Sequence, residues 1–531
     1  MASISHWQRR RGPDDHDTWR SPDRLCLLDH RRLAIIDLSP GGRQPMLSAD
    51  GNLAITFNGE IYNYRELRRQ LQEEGCVFRS SSDTEVILQL YDRCGEAAIA
   101  RLRGMFALAI WDRRKNGVLL ARDPFGIKPL YYADSHGTLR FASSARALIA
   151  GKNVATDIDP AGQAGFLMMG SVPEPFTWWR AISALPAGTT LWLTRDGVGK
   201  PKRYVDVASY FATDKHRAID VDFATSFAET VRCHMIADVP VGVFLSSGLD
   251  SVAIAEKARL VSGRPLITLT VGFDVYRDTP EDETEVAARA AKILGADHHQ
   301  ENIGVKDFRD HRDAMLTAMD QPTIDGLNTY FVALAAKRAG LKVALSGVGG
   351  DELLGGYPSF SQIPMLVGIV SRIPWLSTAG RGVRSILAPL IGHVTSPKYA
   401  GLLEYGGTYA DAYRLRRGLF MPWELPTVMN RNAAVEGLER LAPLWDEASA
   451  TTSQLEPYSA VAWLELTLYL RNQLLRDTDW ASMRHSLEIR TPFVDIELVR
   501  QIAPQLSSPA RPDKKTLMAG MSTELRALLQ N

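Results

Sequence analysis

The sequence predicts an α/β protein of two units: an N-terminal unit of short strands and helices, then a doubly wound parallel sheet that runs on into helices. Three observations carry this. The chain has 531 residues, too many for one hydrophobic core. Up to about residue 205 it reads as β-like runs bounded by Gly, Pro, Asn and Asp. From about Phe223 the rhythm becomes strand, helix, strand, helix, which implies a parallel sheet with helices on both faces.

In the first unit the predicted strands are Arg32–Asp37, Leu53–Phe57, Phe106–Trp111 and Val118–Ala121. Helical patterns at Tyr64–Glu74 and Thr84–Cys94 interrupt them, and Leu185–Tyr204 adds a late hairpin. Residues 206–222 turn polar and read as a linker. In the second unit the β-rich run Val239–Leu245 meets a small-residue turn, Ser246-Ser247-Gly248, and a helical pattern from Ser251 to Ala258 follows at once. Leu266–Phe273 and Lys342–Ser346 read as buried parallel strands, with a helix over Glu283–Leu294 between them. From Pro364 to Asn531 the chain is mostly helical. Ligands of such sheets sit at the carboxyl ends of strands. Ser246, Gly272 and Ser346 all fall at such ends, so three segments point to one crevice.

Composition excludes several classes. Lys plus Arg equals Asp plus Glu, at 61 each, so no electrostatic reason exists to expect nucleic acid or an acidic membrane as partner. The four cysteines, Cys26, Cys76, Cys94 and Cys233, are sparse and lack CxxC spacing, which suits a reducing compartment. Met1 to Arg11 is basic without an apolar core behind it, unlike a signal peptide. The apolar run Met365–Val370 is broken by Arg372 and is too short to span a bilayer. A cytoplasmic location is expected.

The strand–turn–helix around Ser246 carries the chemistry. Backbone amides converge on an anion at such a turn. Ser246, Ser247 and Ser251 add hydroxyl donors, and Asp250 adds a carboxylate fit for Mg²⁺ beside phosphates. No Lys follows Gly248, so this is not the phosphate loop of kinases and GTPases. It looks like the pyrophosphate loop of ligases that split ATP to AMP and pyrophosphate. The plainer alternative is an ordinary βα turn rich in Ser and Gly.

Motifs through the rest of the chain decide against that alternative. Arg11-Gly-Pro-Asp-Asp15, His30–Asp37, Asn58-Gly59-Glu60 and Ser82-Asp83-Thr84-Glu85 stand in the first unit. Leu245–Ser251, Ser346–Tyr357 and Ser482–Asp495 stand in the second. With these motifs in this order, the chain resembles the glutamine-hydrolysing asparagine synthetases over nearly its whole length. The resemblance implies an N-terminal-nucleophile glutaminase domain of αββα type over residues 1–205, short of its first strand. It implies an ATP pyrophosphatase domain over 223–531, and ammonia passing from one to the other inside the protein.

Carried over position by position, the resemblance implies that Arg32, with Leu33, Ala34, Ile35 and Ile36 beside it, holds the glutamine carboxylate, which a guanidinium binds in bidentate fashion. Asn58 and the Gly59 amide form the oxyanion hole, and Glu60 and Asp83 bind the amino-acid end. Asn-Gly alone more often marks a type I′ turn, but Glu60-Ile-Tyr-Asn63 follows it here. ATP contacts fall on Leu245, Ser246, Ser247, Gly248, Asp250, Ser251, Val271, Ser346 and Gly347. Asp250 and Asp351 match carboxylates that bind Mg²⁺, and Lys514 a lysine that neutralises the departing pyrophosphate. Asp351-Glu352 also suits a helix N-terminus, Lys514 a solvated surface position, and Glu281-Asp-Glu283 a solvated helix start. His298-His299 belongs to a strand rather than a metal site, since no third ligand is spaced nearby.

The sequence also departs from the family. Family members begin Met-Cys-Gly and use the exposed cysteine as nucleophile; this chain begins Met1-Ala2-Ser3. Glutamine hydrolysis is expected to fail for the chain as written. Either codons upstream of Met1 restore the cysteine, or free ammonia is the donor. Val348 stands where a Glu is common, and Trp480 where Arg is frequent; both lie in motifs nearest the acceptor. Ser247 replaces a loop glycine and Ser144 an acid. The expected activity is ATP-dependent amide formation on a carboxylate, aspartate first, with ATP and Mg²⁺ required. The alternatives are another carboxylate, such as a uronic acid or a peptide side chain, or a non-catalytic nucleotide-binding relative. The resemblance also suggests a homodimer.

Overall fold

The structure, a computed structural model, describes residues 1–212, 222–372, 375, 379–385 and 396–530. Most of the polar stretch 206–222 read as a linker lies outside the described residues. The chain opens with a helix, Ala2–Gln8. Strands β1 (Asp15–Arg20) and β2 (Leu27–Arg32) pair antiparallel. β3 (Met46–Leu47), β4 (Leu53–Ile61), β5 (Gly104–Asp112) and β6 (Gly117–Arg122) follow, with helices Tyr64–Glu73 and Asp83–Cys94 between β4 and β5. β7 (Tyr131–Ser135), β8 (Thr138–Ala142) and β9 (Ser183–Ala184) make a three-stranded sheet. β10 (Thr189–Thr194), β11 (Gly197–Val198) and β12 (Lys202–Arg203) complete the hairpin, and β10 closes on β6. The main N-terminal sheet thus runs β11-β10-β6-β5-β4-β3.

One predicted strand is wrong. Arg32–Asp37 is not a strand; β2 ends at Arg32 and residues 33–37 are irregular. Two distant carboxylates take the amides that a ladder needs. Asp14 Oδ2 accepts from Ala34 N at 2.8 Å, and Asp238 Oδ2 accepts from Asp37 N at 2.8 Å. Asp37 also sits at φ +55°, where no strand continues. Asn58-Gly59 is likewise no turn: both lie inside β4.

β4 and β5 approach unusually closely at two glycines. A Cβ on Gly59 would meet Met105 O at 2.0 Å, and one on Gly104 would meet Glu60 O at 2.0 Å. Gly59 also holds φ +149°, which other residues rarely adopt.

In the C-terminal part, β13 (Val241–Phe244), β14 (Ile267–Phe273), β15 (Asp297–Ile303), β16 (Val343–Leu345) and β17 (Glu488–Arg490) form one sheet. Its order is β15-β14-β13-β16-β17 and every pairing is parallel. The chain winds outward from β13 to β15 on one side and from β16 to β17 on the other. The crevice where such a sheet changes direction, between the ends of β13 and β16, is where ligands bind. His298 and His299 lie in β15, as expected. Helices dominate the remainder, including Arg431–Thr452 and a continuous run over 457–483 that is π-helical at Glu465–Leu475.

The two parts share one apolar core, which runs from Phe57 and Phe106 through Phe227 and Phe493 to Val243 and Leu345. Ion pairs cross the same seam. Arg103 Nε stands 3.0 Å from both Asp495 oxygens, Arg11 bonds Asp479 at 2.6 and 2.9 Å, and Lys342 Nζ bonds Asp14 Oδ2 at 2.7 Å. Ser144, where an acid was expected, caps the helix Ala145–Ala150 and donates to Asp320 Oδ1 at 2.5 Å. Asp320, from a different segment, also accepts the amides of Ala145 and Arg146 at 3.1 and 3.0 Å. No described helix is long and apolar enough to cross a membrane.

Candidate functional site

Two candidate sites emerge. The first is a cavity of about 390 Å³ whose walls include Arg32, Leu33, Ile35, Ile36, Asn58, Gly59, Glu60 and Asp83. Ala34 is not among them; it is buried with its amide on Asp14. The Arg32 guanidinium bonds Ile36 O at 3.1 Å and Ser39 O at 3.3 Å and also the Asp37 carbonyl, so it braces the irregular turn that replaced the predicted strand. Asn58 Nδ2 donates to Ser143 Oγ at 3.3 Å. Asp83 opens its helix and accepts Ile61 N at 3.1 Å, which locks that helix to β4. Burial pushes the Asp83 carboxyl up to about 6, and holds that of Glu60 well above the usual carboxylate range against the pull of Arg490. Among the described residues lining this cavity none is a cysteine. Burial pushes the thiols of Cys26 and Cys233 up to about 12 and about 11, the reverse of activation.

The second site lies at the strand tips of the parallel sheet. Leu245 follows β13, its amide bonded to Leu269 O at 2.8 Å and its carbonyl to Thr270 Oγ1 at 2.5 Å. The turn then folds on its own hydroxyls. Ser246 N donates to Ser251 Oγ at 3.1 Å, the two hydroxyls lie 2.9 Å apart, and Gly248 N reaches Ser246 Oγ at 3.0 Å. Ser247 Oγ donates to Glu283 Oε1 at 3.0 Å, so the acidic run before the helix Thr284–Leu294 meets this loop rather than only solvent. Ser346 follows β16, and its amide donates to Arg490 O at 2.9 Å. Val271 lies on β14 next door.

The carboxylates meet at the centre. Lys514 Nζ lies 2.6 and 2.5 Å from the two oxygens of Asp250 and 2.7 Å from Asp351 Oδ1. Lys514 is therefore no solvated surface lysine. Asp351 stands in the first turn of the helix Gly350–Leu354, so the helix-start reading also holds. Burial lifts the Asp250 carboxyl to about 6, although Lys514 opposes the rise. The glycine loop makes room: a Cβ on Gly350 would meet Asp250 Oδ2 at 2.4 Å. Two carboxylates converging on one cation fit Mg²⁺, which takes one or two protein carboxylates and leaves the rest of its shell to phosphate and water. Among the described residues no cluster of three or more His, Cys, Asp or Glu forms a richer metal cage.

Sequence reasoning missed two buried groups beside these sites. Arg490 on β17 is fully buried and touches both halves; it lay inside a quoted motif with no role attached. Glu352 is also buried, accepts Tyr357 OH at 2.8 Å, and is pushed by burial up to about 7. The two departures from the family pattern, Val348 and Trp480, also find neighbours. Val348 packs against the shared core, and Trp480 Nε1 donates to Asp477 Oδ1 at 2.8 Å over Gly326.

Comparison with known proteins gives the same division. Residues 1–205 match the glutamine amidotransferase domain model and residues 222–515 the asparagine synthase model. A Mycobacterium tuberculosis protein is 31% identical over 558 aligned residues, covering 100% of this chain and 81% of its own. Asparagine synthetase [glutamine-hydrolyzing] 1 of Bacillus subtilis is 32% identical over 496 residues, 91% of this chain and 74% of its own. An amidase of Gibberella zeae is 32% identical over 396 residues, 66% of this chain and 54% of its own. Among solved structures, an allosteric regulatory enzyme of purine biosynthesis overlaps 52% of this chain and 66% of its own at TM-score 0.27 and 17% identity, too little to bear on the fold. By its two matched models and its full-length relatives, the chain belongs to the asparagine synthetase family of glutamine-dependent carbon–nitrogen ligases.

Proposed function

We propose that the chain forms an amide from a carboxylic acid, ATP and ammonia, with aspartate the first acceptor to test. The convergence of Ser246, Ser346, Asp250, Asp351 and Lys514 at the switch point of the parallel sheet carries this reading. A carboxylate oxygen of the acceptor attacks the α-phosphorus. The bond from that phosphorus to the bridging oxygen breaks, and pyrophosphate leaves. Ammonia then attacks the acyl carbon, AMP departs with the C–O electron pair, and one proton is released. Ser246, Ser251 and the amides of the turn hold phosphate oxygens; Leu245, Ser247, Gly248, Val271, Ser346 and Gly347 seat the nucleotide. Lys514 balances charge on the leaving group. Asp250 and Asp351 would hold Mg²⁺, which supplies charge neutralisation on the phosphates.

In this reading residues 1–205 form a glutamine-binding unit and 223–531 the ligase unit. Glu60 and Asp83 take the α-ammonium of glutamine, Arg32 the carboxylate, and Asn58 with Gly59 N–H the amide oxygen. Ammonia and glutamine are both tested as nitrogen source. A second reading, another carboxylate as acceptor, is favoured by Val348 and Trp480, an apolar side chain and an indole bonded to Asp477 where the family pattern has charged residues. The Gibberella zeae amidase supports it too, as a relative named for something other than asparagine.

The test is nucleotide product analysis with ammonium or glutamine and a panel of acids: aspartate, a uronic acid and a carboxylate-bearing peptide. AMP and pyrophosphate with one acid name the acceptor. ADP, or no nucleotide product with any acid, overturns the ligase reading.

A further inference from the structure

The buried charges at the seam form one cluster. Arg490 Nε bonds Glu488 Oε1 at 3.0 Å, its Nη1 donates to His234 O at 2.8 Å and Ile236 O at 2.6 Å, and its Nη2 stands 3.3 Å from Glu60 Oε1. Glu488 Oε2 lies 3.5 Å from Lys128 Nζ. Asp83 adds its field to Glu60. All five side chains are buried. Glu60 Oε2 and Arg490 Nη2 also lack hydrogen-bond partners. A buried network that is only partly satisfied is costly and sensitive to whatever completes it.

Glu60 follows Gly59 in β4 and lines the N-terminal cavity. The backbone carbonyl of Arg490 accepts the amide of Ser346 at the nucleotide crevice. One residue thus grips a wall of the first cavity with its side chain and the strand tip of the second with its main chain. We infer that Arg490 is a positioning residue that couples occupancy of the two sites, a reading that rests on glutamine binding at Glu60 and Asp83. The α-ammonium of glutamine donates to Glu60 Oε2, the carboxyl oxygen that the cluster leaves without a partner. Glu60 then draws less on Arg490, whose fork settles on Glu488 and the two carbonyls. β17 is held against β16 through the Ser346 amide on the Arg490 carbonyl, which fixes the strand tip at the nucleotide crevice. Glutamine and MgATP therefore bind with positive coupling, and linkage requires the same factor in both directions.

The experiment measures ATP affinity in Mg²⁺ by calorimetry, with and without saturating L-glutamine, and hydrogen exchange at Ser346. In the wild-type chain glutamine tightens ATP about 5-fold or more, the low end of ordinary coupling, and slows exchange at Ser346. Arg490→Lys keeps the charge but not the fork. It leaves ATP affinity alone within about 3-fold and cuts the glutamine effect below about 2-fold. Arg103→Met, which cuts a separate ion pair across the seam, lowers thermal stability yet keeps the coupling. A purely structural Arg490 predicts the same outcome for both variants. Glutamine that binds but changes neither ATP affinity nor Ser346 exchange overturns the inference and leaves the glutamine site standing. Coupling that persists in Arg490→Lys does the same. Failure of glutamine to bind at all removes both.

Discussion

Replacing Gly350 with alanine should disable the ligase while leaving the fold intact. An ideal Cβ at this position stands 2.4 Å from Asp250 Oδ2, 2.5 Å from its Cγ and 2.9 Å from its Oδ1. Ordinary contact begins near 3.4 Å, so the carboxylate must withdraw by about 1 Å. Its present place is fixed by Lys514 at 2.5–2.6 Å, and that pair is broken by the shift. A misplacement of about 1 Å at a reacting centre costs roughly 100-fold in rate, or about 2.7 kcal/mol of barrier. The backbone itself accepts alanine. Gly350 opens a helix without a positive φ, where alanine is favoured over glycine by roughly 0.5–1 kcal/mol. The assay is pyrophosphate release under saturating ammonium, with thermal unfolding run beside it. Gly368→Ala serves as control, since nothing lies within 4 Å of its added Cβ. A Gly350→Ala protein that keeps kcat/KM for MgATP within about 3-fold of wild type would refute the placement of Asp250 at the chemistry.

Further outcomes follow from the same geometry. Lys514→Met should lower kcat roughly 100- to 1000-fold, as loss of one preorganised charge does; steady-state rates check it, and a fall below 10-fold would return Lys514 to a structural role. Asp250 is held near 6, so below that pH it takes up a proton and loses its use as a metal ligand. Activity should therefore fall on the acid side, and a tenfold rise in Mg²⁺ should move that limb down by about one pH unit; a limb that stays put separates Asp250 from the metal. Glu60→Gln should weaken glutamine about 10-fold or more in calorimetry, the worth of a charge-assisted hydrogen bond. Unchanged affinity would place the ammonium elsewhere.

The strand–turn–helix of the candidate nucleotide crevice was legible because its signals are local. Val241–Phe244 is β-branched and apolar, the next residues are small and hydroxylated, and the helix pattern begins within the same stretch. Each of those choices acts on near neighbours, so the sequence can be read without the fold. The strand predicted over Arg32–Asp37 failed for the opposite reason. Leu33–Ile36 is as apolar as any strand here, but Asp14 and Asp238 claim its amides, and Asp238 is 201 positions from Asp37. The Ser144–Asp320 bond spans 176 positions and was equally hidden. Arg490 shows the limit most clearly. Its partners come from β4, the Phe223–His234 helix end and its own strand, and no periodicity links them.

The reciprocal close approach of Gly59 and Gly104 has an evolutionary corollary. A saturation scan should find both positions intolerant, although neither has a side chain to contribute. Each blocks the other strand's carbonyl rather than a ligand, so no single compensating substitution restores the spacing. Any change in the shape of this cavity must then come from its other lining residues, Leu33, Ile35 and Ile36 among them, while the floor beneath them stays fixed.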